Sequence, residues 1–187
     1  MKIVGISGSP TKSGNNERII DYVLDIAKQR GFITLRVFLS EYKIAGCNDC
    51  GLCKDKKECS IKDDMKKLLP LLEDADAIIV ASPVYFGSVS SQLKAFFDRT
   101  LVLRRAGFLL KNKVGAAIAV GGSRNGGQEK TIEAIHAWMN IHGMVVVGDG
   151  SHFGGIVQKP FEEDNIGIRT VKDTIYKVCD VLDMIKS

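Results

Sequence analysis

Short apolar runs alternate with stretches of helical periodicity along most of the chain, and no other feature limits its possible folds so strongly. Residues 2–6 form an apolar run that ends in a polar loop, as a buried strand does, and residues 16–30 then place Ile19, Ile20, Val23, Leu24 and Ala27 at helical spacing. Phe32 to Leu39 alternates weakly and makes a second strand. Asp63 and Asp64 open a helix that carries Leu68, Leu71 and Leu72, with Pro70 as a weak point inside it. Residues 76–82 are a third strand, residues 90–100 a helix and Val114 to Val120 a fourth strand. A helix over 127–142 and a strand near 144–148 follow. Val171, Ile175, Val178, Cys179, Leu182 and Ile185 then mark an amphipathic helix over 169–186. Strands alternating with helices imply a parallel sheet covered on both faces. The expectation is an α/β, flavodoxin-like three-layer fold with a five-stranded parallel sheet, as a single domain over 1–187. Residues 150–168 fit no element in this reading.

With 45% hydrophobic and 26% charged residues among 187, the composition is that of a soluble globular protein. A net charge of +4, spread along the chain, is too mild to argue for nucleic acid. No apolar run reaches the ~18 residues of a membrane span, and the first residues enter a strand without the apolar region of a signal. The expected location is the cytoplasm.

Four of the five cysteines fall in one loop, 46–60: Cys47, Cys50, Cys53 and Cys59, separated by two, two and five residues. Thiolates are the ligands that soft metals and iron–sulfur clusters select. Gly46 and Gly51 free the backbone to curl, so this compact set suits four sulfurs wrapped around one cubane cluster. Zinc also takes four thiolates, but its paired knuckles are separated by a dozen or more residues. A disulfide framework belongs to short secreted chains, and a redox pair explains two cysteines and leaves two over. The spacing also departs from the bacterial ferredoxin run, whose fourth cysteine serves a second cluster. With one set present, Cys59 is expected on the same cluster as the other three.

In open parallel sheets ligands bind outside the carboxyl ends of the strands, and three loops there are unusual. The first, Ser7 to Asn16, combines hydroxyls, glycines and a helix N-terminus, which suits a phosphate. It lacks the glycines of a Walker A loop and of the dinucleotide fingerprint. Helix capping by Ser13 or Asn15 alone is the competing account. The second loop runs from Ser82 to Ser90, with Pro83, Tyr85 and Phe86; the third, from Gly121 to Glu129, is rich in glycine. Each is ordinary alone, since aromatic strand ends are often core and glycine pairs are often turns. Together they suit a flat heterocycle with one phosphate, which points to FMN.

On these residues the chain resembles the iron–sulfur flavoproteins, a branch of the NADPH-dependent FMN reductase group with a flavodoxin-like fold. The matching motifs are residues 5–10 with Gly14, Asn15 and Asn16, the four cysteines, residues 82–87, and residues 121–124 with 126–129. The resemblance implies FMN with its phosphate at Ser7, Ser9, Thr11, Asn15 and Asn16, with Pro10 and Ser13 of the same loop also expected to bind the cofactor. It implies a ring beside Pro83, Val84, Tyr85, Phe86 and Gly87, and beside Gly121, Gly122, Ser123, Arg124, Gly126 and Gly127. It further implies a 4Fe-4S cluster on Cys47, Cys50, Cys53 and Cys59, in a homodimer or homotetramer. The expected function is transfer of electrons from a one-electron, ferredoxin-like donor through cluster and FMN to a two-electron acceptor. Lys54, Lys56 and Lys57 would steer such a donor if it is acidic. The alternatives are an NAD(P)H-dependent FMN or quinone reductase with a zinc or structural cysteine site, a pure electron carrier, and a redox sensor. Arg124 is either a charge beside the flavin or a solvated side chain. Cys179 and the scattered His136, His142 and His152 read as structural, and Phe96, Phe97, Phe108 and the 150–168 segment as interface material.

Overall fold

The computed structural model describes residues 1–56 and 58–186, so Lys57 lies outside the described residues. In chain order the elements are β1 (Lys2–Ser7), α1 (Asn15–Gln29), β2 (Ile33–Phe38), α2 (Leu52–Asp55), α3 (Met65–Glu73) and β3 (Ala77–Pro83). Then come α4 (Ser91–Arg99), α5 (Leu101–Arg105), β4 (Val114–Gly121), α6 (Gln128–Ile141), β5 (Val145–Val147), β6 (Gly155–Gln158) and α7 (Asn165–Lys186). The strands are parallel in the order β2-β1-β3-β4-β5, the flavodoxin-like order, with its switch point between β1 and β3. No described helix is long and apolar enough to cross a membrane.

Each face of the sheet carries its own core. Ile19, Ile20, Val23 and Leu24 of α1 and Val171, Ile175, Val178 and Leu182 of α7 pack with Ile3, Ile79 and Ile118 on one side. Met65, Leu68 and Leu72 of α3, Leu93 and Phe96 of α4, and Ile132, Ile135 and Trp138 of α6 pack with Val4, Ile6 and Val80 on the other. Because alternate strand residues face opposite sides, β3 and β4 serve both cores and are apolar almost throughout. Pro70 lies inside α3 without ending it.

Two expectations need correction. Residues 150–168, which fit no element in the sequence, do contribute elements: Gly155–Gln158 forms β6, paired with Ile118–Gly121 beyond the point where β5 leaves β4, and α7 begins at Asn165 rather than 169. The fifth lane is therefore shared by two short strands, and the four residues of β6 are too few for a periodic signal. Phe96 and Phe97 are core rather than surface, because the apolar stripe of α4 faces the sheet; Phe97 stacks on Trp138 with centroids 4.4 Å apart. Phe108 is exposed, with Arg104 over its ring.

Candidate functional site

A crevice of ≈ 300 Å³ opens outside the carboxyl ends of β1, β3 and β4. Ser9, Thr11, Asn15 and Asn16 line one end of it, from the loop between β1 and α1. Pro83, Val84 and Tyr85 line it from the end of β3, and Gly121 and Gly122 from the end of β4. The structure thus brings together nine of the expected residues from three separate loops.

The first loop is shaped by its own polar groups. Ser7 is fully buried and its hydroxyl accepts the Ser9 N–H at 3.4 Å, while the Ser9 hydroxyl accepts the Thr11 N–H at 3.1 Å. Gly14, not Ser13 or Asn15, is the N-cap of α1. The buried Glu17 carboxylate instead accepts the Ser13 N–H at 2.6 Å and the Ser40 hydroxyl at 2.5 Å. Asn15 Oδ1 accepts the Phe161 N–H at 2.8 Å, which ties the segment after β6 to this loop. The first N–H groups of α1 have no acceptor within the helix. Beside them, Asn16 Oδ1 is buried with no partner among the described residues. A half-turn of that amide presents its NH₂ to the same space, so the loop offers unmet polar groups where a phosphate would lie. Pro10 and Ser13 belong to the loop but do not line the crevice.

The second loop turns sharply. Phe86 and Gly87 both have positive φ, 51° and 73°, and Tyr85 and Ser88 exchange backbone hydrogen bonds of 2.9 and 3.0 Å. This is the geometry of a two-residue turn with both central residues left-handed, and it leaves Phe86 fully exposed. Behind it stands the third loop. Gly127, at φ 100°, comes so close that a Cβ there would lie 3.2 Å from Gly87 Cα and 3.3 Å from Val84 Cγ1. Gln128, nearly fully buried, braces this loop by accepting the Gly126 N–H at 2.8 Å and donating to the Ser123 carbonyl at 2.6 Å. Phe86, Gly87, Ser123, Gly126 and Gly127 therefore shape the wall from behind or at the rim. Arg124 is held away, ion-paired to the buried Asp164, whose carboxylate also accepts the Gln158 N–H at 2.7 Å. Burial opposes the charge on Asp164, but Arg124 and the backbone N–H groups hold its pKa below the ordinary range.

Lys159, which sequence reasoning missed, also lines the crevice. Its N–H donates to the Gly121 carbonyl at 3.0 Å, continuing the β6 pairing, and so places a cationic side chain beside this mouth. No local signal marks it, because its position depends on β6 returning to β4.

The cysteine loop leaves the end of β2 and is mostly irregular. Cys47 and Cys50 are exposed, and Cys53 and Cys59 are partly buried. Among the described residues no three His, Cys, Asp or Glu side chains converge as an ion site. The sulfurs are nonetheless set among donors. The Ser60 hydroxyl lies 2.9 Å from Cys50 Sγ, and this contact, with the Leu52 N–H, lowers the Cys50 pKa. Arg105 Nη1 donates to Cys53 Sγ at 2.9 Å and Arg99 Nε to Cys59 Sγ at 3.2 Å. Four thiols with donors at three of them match the chemistry that holds thiolates for soft metals. Cys179 is fully buried in the core, its thiol pushed up to about 11 by burial, and it takes no part.

Two of the three histidines have clear partners in the fold. His142 Nε2 lies 2.9 Å from the Thr100 hydroxyl, which also accepts from Trp138 Nε1 at 2.9 Å and donates to the Phe97 carbonyl at 2.6 Å. With its one proton used on Phe97, the hydroxyl must accept from both rings, so His142 is the neutral Nε2–H tautomer. Burial, followed by the charge of Arg104, lowers its pKa to about 4. His152 pairs with Asp149 at 2.7 Å on the surface.

The parallel sheet, its strand order and the crevice at its switch point define a flavodoxin-like protein, and comparison with known proteins narrows the class. The sequence profile described as NADPH-dependent FMN reductase matches residues 1–156. An iron–sulfur flavoprotein of Methanosarcina thermophila is 59% identical over 186 residues, covering 100% of this chain and 97% of its own. One of Methanocaldococcus jannaschii is 44% identical over 193 residues, covering 100% of both. The crystal structure of a WrbA-like flavodoxin from Agrobacterium tumefaciens superposes with a TM-score of 0.69 at 20% identity, over 98% of this chain and 97% of that one. The chain belongs to the iron–sulfur flavoprotein branch of the NADPH-dependent FMN reductase family.

Proposed function

We propose that the chain is a redox protein that binds FMN in the crevice and a 4Fe-4S cluster on Cys47, Cys50, Cys53 and Cys59. In this reading it moves electrons from a one-electron, ferredoxin-like donor to a two-electron acceptor. The observation that carries it is the pairing, in one chain, of a ≈ 300 Å³ crevice at the strand ends, with a buried amide oxygen at Asn16 unmet among the described residues, and a four-cysteine loop whose sulfurs meet donors. When bound, the cluster supplies single electrons and FMN takes up one or two, which links the two kinds of chemistry.

The chain's own residues bind and orient. Ser9, Thr11, Asn15 and Asn16, with the first N–H groups of α1, hold the phosphate monoester, while buried Ser7 keeps the Ser9 N–H in place. Lys159 adds positive charge at the same mouth. Pro83, Val84, Tyr85, Gly121 and Gly122 flank the ring, with Gly126, Gly127, Ser123, Phe86 and Gly87 as the supporting wall. Pairing with Asp164 makes Arg124 a brace for that wall. Lys54 and Lys56 are exposed beside the cysteines and would steer an acidic donor, as would Lys57. We place the protein in the cytoplasm as a homodimer or homotetramer, acting on neither nucleic acid nor membrane.

A second reading, an NAD(P)H-dependent FMN or quinone reductase with a zinc or structural cysteine site, is favoured by the family description. Acid-labile sulfide and iron per FMN in protein purified without oxygen separate the two. About four sulfides per flavin is the content of one cubane cluster and is the expected result. FMN without sulfide, together with rapid bleaching of the flavin by NADPH, would replace the first reading with the second.

A further inference from the structure

Arg99, at the end of α4, has an almost completely buried side chain, and each of its five N–H groups has a partner. Nη1 donates to the Ala45 carbonyl at 2.8 Å and to Asp63 Oδ2 at 2.7 Å; Nη2 donates to Asp63 Oδ1 at 3.0 Å and to the Ile61 carbonyl at 3.3 Å. The remaining N–H, on Nε, meets Cys59 Sγ at 3.2 Å. Asp63 in turn accepts the Ala45 N–H at 2.9 Å and the Met65 N–H at 3.0 Å. One guanidinium–carboxylate pair thus clasps both ends of the cysteine loop, before Cys47 and after Cys59, and aims its last donor at a sulfur. A planar, forked cation is needed for this; an ammonium cannot span the same acceptors.

Arg105, six residues on, differs. Its Nη1 meets Cys53 Sγ at 2.9 Å, and among the described residues no carboxylate pairs with it. The charge of Arg99 is largely balanced by Asp63, whereas the charge of Arg105 meets Cys53 Sγ with no carboxylate paired to it among the described residues.

We propose that Arg99 and Arg105 form the outer shell of the cysteine site with separate duties: Arg99 positions Cys59, and Arg105 supplies the positive charge that favours the reduced, more negative state of the cluster. This rests on the reading that the four cysteines hold a 4Fe-4S cluster. Hydrogen bonds and charge at cluster sulfurs set reduction potential, and outer partners fix ligand orientation. The two residues are positioning and tuning groups, since both act through cysteine sulfurs.

The test is a redox titration of anaerobically purified protein, followed by electron paramagnetic resonance, with iron, sulfide and FMN measured on each sample. Arg105→Gln should retain iron and FMN and make cluster reduction about tenfold less favourable, a fall of ~59 mV for one electron. Arg105→Lys should recover most of that shift. Arg99→Lys keeps the charge but drops the forked contacts, so it should lose iron on gel filtration several times faster than wild type while retaining FMN. An unchanged midpoint in Arg105→Gln at full iron content would overturn the tuning role. Unchanged iron retention and resonance in Arg99→Lys would overturn the positioning role. Wild-type protein without iron or sulfide would overturn the cluster reading itself, and that is seen before any variant is titrated.

Discussion

The crevice and the cysteine loop sit on the same sheet but are built in opposite ways. The crevice is lined by the loops that leave three buried strands, and behind it the Gly87 and Gly127 turns come so close that little room is left for a Cβ at Gly127. The cysteine loop has one short helix, two exposed cysteines, and a polar clasp at its base in place of an apolar core. The fold itself sets out a site of the first kind, at the ends of its buried strands. A loop of the second kind takes its shape from what it is tied to, so its stability is concentrated in a few polar groups.

Four perturbations break or sharpen that contrast. The largest effect is expected from Asp63→Ala, which leaves the buried Arg99 charge unpaired and should cost about 3–5 kcal/mol. Urea unfolding reads the cost, and limited proteolysis should show cleavage within 46–60. A loss below about 1 kcal/mol would mean the clasp is not what anchors the loop.

Acid should come next, through the buried His142 bonded to Thr100 at the end of α4. The pKa of His142 is lowered in the fold to about 4, from an ordinary 6.5. The unfolded chain therefore takes up its proton first as pH falls. The stabilisation is complete above pH 6.5 and declines toward pH 4, by up to about 3 kcal/mol. Unfolding midpoints at pH 7 and pH 4.5 should separate in wild type and move closer in His142→Asn. Equal separation in both would remove His142 as the cause.

Gly127→Ala attacks the crevice instead. It forces a side chain into positive φ against the Gly87 turn, which should cost about 1–3 kcal/mol and weaken FMN in a fluorescence titration. The iron content should stay level. Iron loss equal to the FMN loss would show that the two sites are not independent.

Cys50→Ala should do least to the fold, within about 0.5 kcal/mol for an exposed side chain. It should nevertheless remove the iron and leave the FMN. Full iron content in this variant would strike Cys50 from the ligand set.

Much of this was legible in sequence for a definite reason. The residues of β3 and β4 are buried on both faces, so their apolar runs declare a parallel sheet without reference to the rest of the chain. The apolar stripe of α1 is likewise a local pattern, and the loops that follow β1, β3 and β4 are found by counting from the strand ends. β6 carries no sequence signal because four residues beginning with glycine show no period, and the place of Lys159 is hidden with it. Phe96 and Phe97 read as interface material in sequence because adjacency along the chain does not reveal which face of α4 meets the sheet.

The sequence by itself determined the layered α/β order, the loops that form the crevice and the clustering of four cysteines, because periodicity and spacing are properties of neighbouring residues. Only the tertiary structure decided that the fifth lane is shared, that Arg124 turns to Asp164, and that Arg99 is the clasp of the cysteine loop. Those depend on partners 36 to 54 positions away. A buried charge must find its counterion wherever packing brings one, and a single arginine in a string of residues carries no mark of that choice.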